Sequence, residues 1–160
     1  MLLWFVGTAI VAVWYVFRDP RFDYRLLVVG ALVPELDGLI GGARVLHSLL
    51  ASVVLLAAAI AVTAGRRPAR RLLLGLPIGT MLHLVVDGGW RNSTVFWWPL
   101  GGWGFDGAEL PSVARGWWNG PLELIGLALC KWIWRTAGLA DPDRRRIVAR
   151  TGQLFSEGPG

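Results

Sequence analysis

Hydrophobic positions in this chain gather into long apolar runs separated by arginine clusters and glycine-rich breaks. Residues 2–17 (LLWFVGTAIVAVWYVF) carry no charge and stop at Arg18-Asp19-Pro20-Arg21, which predicts a helix near the lower length limit for crossing a bilayer, roughly 17 residues. No basic stretch precedes this run and no small-x-small cleavage site follows it, so it reads as a retained helix and not a signal peptide. Residues 26–40 (LLVVGALVPELDGLI) are apolar but short, with Pro34, Glu35 and Asp37 near their far end before Gly38, Gly41 and Gly42. Proline removes a backbone donor, so this run predicts a helix that breaks at its polar end. Residues 45–64 give the clearest span, with His47 in its first turn, and they end at Arg66-Arg67-Pro68-Ala69-Arg70-Arg71.

Residues 72–87 (LLLGLPIGTMLHLVVD) predict the next helix, in which Gly75 and Gly79 have the spacing that lets helices approach closely and Pro77 is expected to kink the axis. From Gly88 to Gly120 the chain is rich in Gly, Pro and Trp; an apolar pattern returns over 121–139 and a polar segment closes the chain. The expected fold is all-α, a small polytopic membrane helix bundle of about five helical segments whose second member is short or broken. One domain over residues 1–140 would be followed by a polar cytoplasmic tail over 141–160.

Composition supports a membrane setting: 54% of residues are hydrophobic, only 17% are charged, and the mean hydropathy is +0.51. A net charge of +5 could suggest nucleic acid, but most arginines flank the apolar runs and no recognition helix or stacking surface accompanies them, so a nucleic-acid partner is not expected. Arg18, Arg21 and Arg25 follow the first run, Arg66, Arg67, Arg70 and Arg71 the third, and Arg135, Arg144, Arg145, Arg146 and Arg150 the fifth. The other connections hold only Arg44, Arg91 and Arg115. The positive-inside rule then sets the N-terminus outside an integral cell membrane and the C-terminus in the cytoplasm. Cys130 stands alone and reads as a packing residue.

Ionisable groups in hydrocarbon are expensive, so Asp37, His47, His83 and Asp87 mark a functional site. On the expected topology all four reach the outer face. His83 and Asp87 are four apart and share a helix face, which brings an imidazole and a carboxylate within reach of one cation. For this pair alone, a structural hydrogen bond is the competing reading. A divalent ion is expected on Asp37, His47, His83 and Asp87, with zinc first and manganese or iron as alternatives. Glu35 is the candidate proton acceptor and Arg91 the candidate anion contact. Arg44 and Glu123 are open: Arg44 could bind the anion or pair with Glu35, and Glu123 could join the ion or simply suit a helix start. Ser48 reads as a helix cap. Trp90, Trp97, Trp98, Trp103, Trp117 and Trp118 predict an outer segment lying at headgroup level, with membrane lipids as partners.

Four ordered motifs, Pro34-Glu35-Leu36-Asp37, His47-Ser48-Leu49, His83-Leu84-Val85-Val86-Asp87 and Phe96-Trp97-Trp98-Pro99, resemble the YdjM-like family of small integral-membrane, metal-dependent hydrolases. The resemblance covers roughly residues 25–105. Glu35 stands where the family has aspartate, Leu46 where it has threonine, and the histidine of its usual His-Arg pair is missing. What the resemblance implies is hydrolysis by a metal-activated water, with a distant likeness to zinc-dependent phospholipase C. The expected function is a membrane-embedded, metal-dependent hydrolase acting at the extracytoplasmic face on a lipid or phosphoester substrate. A non-enzymatic metal-binding or transport protein is the alternative, although a carrier should continue its polar groups through the bilayer.

Overall fold

In a computed structural model of the chain, which describes residues 1–105 and 108–156, the first apolar run folds as α1 (Leu2–Phe17). Its opening N–H groups find a partner from the far end of the sequence: the Glu123 carboxylate accepts from the backbone of Leu3 and Trp4 at 3.1 and 3.2 Å. Those are donors that no helix can satisfy internally, and a carboxylate there also complements the helix dipole. The second run splits as expected. Helix α2 (Arg25–Leu32) passes into a 3-10 helix at Val33–Ile40, one residue before Pro34, whose missing N–H favours the change of pitch.

Helix α3 (Leu49–Val62) starts later than the apolar pattern suggests. Ser48 is extended and caps it, its hydroxyl accepting from the N–H of Ala51 at 3.1 Å and donating to the Val45 carbonyl at 2.6 Å. His47, expected in the first turn of this helix, therefore lies in a separate 3-10 turn, Val45–His47, ahead of the cap.

The basic cluster expected as a connection is itself helical, forming α4 (Arg67–Leu73), and α5 (Gly75–Asp87) follows after a break at Leu74. Pro77 accounts for the position of that break, because its ring crowds the carbonyl four residues back, on Leu73. Together Arg67–Asp87 form the one stretch among the described residues long and apolar enough to cross a membrane; α1 and α3 are shorter apolar helices. Helices α6 (Ser93–Phe96) and α7 (Pro111–Ala114) are single turns in the Trp-rich segment, and α8 (Asn119–Thr136) is the expected last apolar helix.

A further helix, α9 (Pro142–Thr151), appears within the expected tail, capped by Asp141. The described part of the tail is no loose appendage. Phe155 is buried and stacks on Trp14 with ring centroids 3.9 Å apart, while Tyr24 donates its N–H to the Gly152 carbonyl at 2.9 Å. Apolar Leu154 and Phe155, hidden at the end of a polar sequence, draw it into the core. Residues 157–160 of the expected tail lie outside the described residues.

All regular structure among the described residues is helical. Helix α1 packs along α8 and against α2 and α5, and α2 lies against α5. That last seam is backbone on backbone: a Cβ on Gly79 would strike the Leu27 carbonyl and the Ala31 nitrogen, and one on Gly30 would strike the Leu76 carbonyl. The close approach expected from Gly75 and Gly79 is therefore present, with α2 as the partner. Phe5, Leu27 and Leu84 are fully buried between these helices, whereas Val16, Leu39, Val62 and Leu124 leave an apolar outer surface.

Candidate metal centre

Helix α5 carries His83 and Asp87 on one face, and the Val45–His47 turn brings His47 against them; all three residues are buried. Two hydrogen bonds fix which atoms point inward. His83 Nδ1 donates to the Ala31 carbonyl at 2.7 Å, and a carbonyl can only accept, so in the neutral ring Nε2 carries the lone pair. His47 Nδ1 donates to Asp37 Oδ2 at 3.0 Å, which leaves its Nε2 in the same state. Arg115 completes the set by binding Oδ1 of Asp87, with a second hydrogen bond from its guanidinium to the Asp87 carbonyl at 3.0 Å. Oδ2 remains.

The three free atoms face one another. Nε2 of His47 and Nε2 of His83 each lie 3.8 Å from Asp87 Oδ2, and one ligand atom from each residue falls within 4.8 Å of the others. None of the three has a hydrogen-bond partner, and each is shielded from solvent. A buried polar atom left unsatisfied costs about 1–3 kcal/mol, so three facing one another mark a candidate ligand site. This His47-His83-Asp87 group can hold a metal ion. Two neutral imidazoles and a carboxylate are a common donor set for divalent first-row metals, and a ligand histidine ordinarily binds a carboxylate or carbonyl through its other nitrogen, as both histidines do here. Phe5 covers one side, its ring centroid 3.9 Å from that of His83.

Asp37 was expected to bind the ion directly, but it stands behind His47. Its Oδ2 also accepts from the backbone N–H groups of Arg44 and His47 at 2.8 and 3.2 Å, so one carboxylate gathers the whole turn. The turn depends on Gly42, whose φ of 125° suits glycine and whose missing Cβ makes room for the Ala108 carbonyl. Glu35, the expected proton acceptor, is outside the trio; its Oε1 is buried with no hydrogen-bond partner. It forms no ion pair with Arg44 among the described residues. Glu123 caps α1 and does not join the ligands. Arg91 lines a cavity of about 760 Å³ together with Asp87, Trp90, Asn92, Glu109 and Arg115.

Sequence reasoning missed Arg115 and the Ala31 carbonyl. A backbone acceptor leaves no mark in a sequence. Arg115 did leave one, as the single cation between Arg91 and Lys131 in an aromatic, glycine-rich stretch.

A family model described as Domain of unknown function (DUF5942) matches residues 2–102. The chain belongs to the DUF5942 family. The DUF5942 match takes in the three facing residues, together with Asp37 and Arg91, while Arg115 reaches Asp87 from beyond it. No curated protein and no solved structure matches the chain.

Proposed function

We propose that this DUF5942 protein is a membrane-embedded, metal-dependent hydrolase that cleaves a lipid-borne or other phosphoester at the extracytoplasmic face. The observation that carries the reading is the meeting of three buried, unpartnered atoms, His47 Nε2, His83 Nε2 and Asp87 Oδ2, beside a cavity with two arginines in its wall. The four motifs that resemble the YdjM-like family contain all three of those residues. His47, His83 and Asp87 would hold the ion, zinc first by its donor set, and the chemistry it would supply there is activation of water as a nucleophile near neutral pH.

The protein's own groups have separable tasks. Asp37 and the Ala31 carbonyl hold the two imidazoles in the tautomer that offers Nε2 to the ion. Arg115 occupies Oδ1 of Asp87 and leaves Oδ2 free. Arg91, exposed on the cavity wall, is available to bind a phosphoryl oxygen in a bidentate contact. Glu35 is assigned as proton acceptor on the strength of its buried, unpartnered Oε1. Trp90, Trp97, Trp103, Trp117 and Trp118 are exposed around this end, which supports seating it at headgroup level, with the arginine-rich opposite end in the cytoplasm. Against a transport role stands the α2–α5 seam, closed by backbone contact at Gly30, Gly75 and Gly79.

Elemental analysis of the purified chain, paired with turnover of phosphodiester and carboxylester lipid analogues before and after chelation, tests the reading. Stoichiometric metal and chelator-sensitive turnover, both lost in His83→Ala, are the expected results. Metal retention with no turnover across the panel would assign the trio to metal binding alone.

A further inference from the structure

At the opposite end of the α4–α5 rod, about 30 Å from Asp87 at 1.5 Å per residue, lies a second cavity, of about 370 Å³. Its walls come from three separate segments: Arg21 and Asp23 from the α1–α2 connection, Arg67 and Arg71 from α4, and Thr151 and Gln153 from the end of α9. The charge balance is strongly positive. Arg67 and Arg71 are exposed and make no ion pair among the described residues, and Arg21 has only Asp19 at 3.6 Å on the solvent side. The one carboxylate in the wall, Asp23, is already held by Arg25 at 2.6 Å.

Arg67 and Arg71 bring two guanidinium groups that have no acidic partner among the described residues to one concave space beside Arg21, and an anion entering there would relieve their mutual repulsion. Guanidinium geometry matches phosphate oxygens in bidentate fashion, and basic pockets between helices on the cytoplasmic side are a known setting for phospholipid headgroups. The cavity is also assembled only when the chain end is docked, since Thr151 and Gln153 flank Gly152, whose carbonyl accepts from Tyr24.

We infer that this arginine-lined cavity binds a phosphate-bearing anion, either the headgroup of an anionic phospholipid or free phosphate. Occupation would tie α4 to the segment after α9 and stabilise the docked chain end. The inference shares with the proposed function only the membrane setting. Its test reads binding and not turnover, so each can fail without the other.

Full-length protein in detergent, titrated with phosphatidylglycerol, phosphatidylcholine or inorganic phosphate and followed by native mass spectrometry and thermal unfolding, separates the two sources. Phosphatidylglycerol should remain bound and raise the Tm while phosphatidylcholine does neither, and Arg67→Gln/Arg71→Gln should weaken retention roughly tenfold to thirtyfold. A charge-matched control, Arg66→Gln/Arg146→Gln, removes two exposed cations outside the cavity wall and should retain the lipid. Binding of inorganic phosphate alone, lost in the same cavity variant, identifies a soluble ligand for the site. Equal loss in both double variants, or no loss in the first, overturns the inference.

Discussion

Asp37 Oδ2 lies 3.0 Å from His47 Nδ1, with both side chains almost fully buried. That pair decides how His47 can act: with Nδ1 committed to the carboxylate, Nε2 is the only ring nitrogen it can offer to a cation, and the ring cannot turn away. Asp37→Asn keeps the shape but weakens the acceptor, and should lower metal affinity about 10- to 100-fold. Isothermal titration of the apo protein measures this directly. An unchanged affinity would place His47 outside the ligand set.

Arg115 forms the corresponding partner for Asp87, and its side chain is only 19% exposed. Removing one member of a buried ion pair leaves an uncompensated charge, typically at a cost of about 3–5 kcal/mol. Arg115→Ala should therefore lower stability strongly in the metal-free protein, and Arg115→Lys, which keeps the charge but not the fork, should lose less. Metal should restore part of the Arg115→Ala loss, because the cation supplies the charge that the guanidinium no longer does. Thermal unfolding with and without metal reads both effects. Equal destabilisation with and without metal would separate Arg115 from the ion site.

Gly79 faces the Leu27 carbonyl and the Ala31 nitrogen with no room for a methyl group. Gly79→Ala should push α2 from α5, at a cost of about 1–3 kcal/mol, and carry the Ala31 carbonyl off His83 Nδ1. The expected signature is a joint loss of stability and metal affinity, although residue 79 supplies no ligand atom. A stability loss with full metal affinity would show that the seam does not position His83.

How far the sequence speaks for itself differs between helices and site. The apolar runs over 2–17, 26–40 and 72–87 fold as helices because burial and periodicity act locally, and the break near Pro34 follows from a missing donor. His47, His83 and Asp87 were legible as site residues because polar groups in apolar runs need partners, and the structure brings them together. The division of labour between Asp37 and His47 was not legible: it depends on a turn through Gly42 that aims the carboxylate at the ring's Nδ1 and away from the trio. Helix α9 was missed for a related reason, since its own sequence is polar and long-range contacts anchor it, among them Phe155 on Trp14 and the Tyr24 N–H on the Gly152 carbonyl.

His83 makes the most decisive single test, because it is fully buried beneath Phe5 and its Nε2 is one of the three unpartnered atoms. In the native chain a divalent ion at about 100 times its dissociation constant should add about 2.7 kcal/mol of stability by mass action, seen as a rise in Tm. His83→Ala deletes a ligand and opens a void against Phe5, so the variant should melt earlier and show almost no response to metal. His83→Gln separates the two causes: it fills more of the space and can still hydrogen-bond the Ala31 carbonyl, but it is a poor ligand for a first-row cation. It should recover stability relative to the alanine variant while staying blind to metal. If the metal-induced rise in Tm survives in both variants, the ion binds elsewhere and the trio is a packing feature of the α2–α5 core.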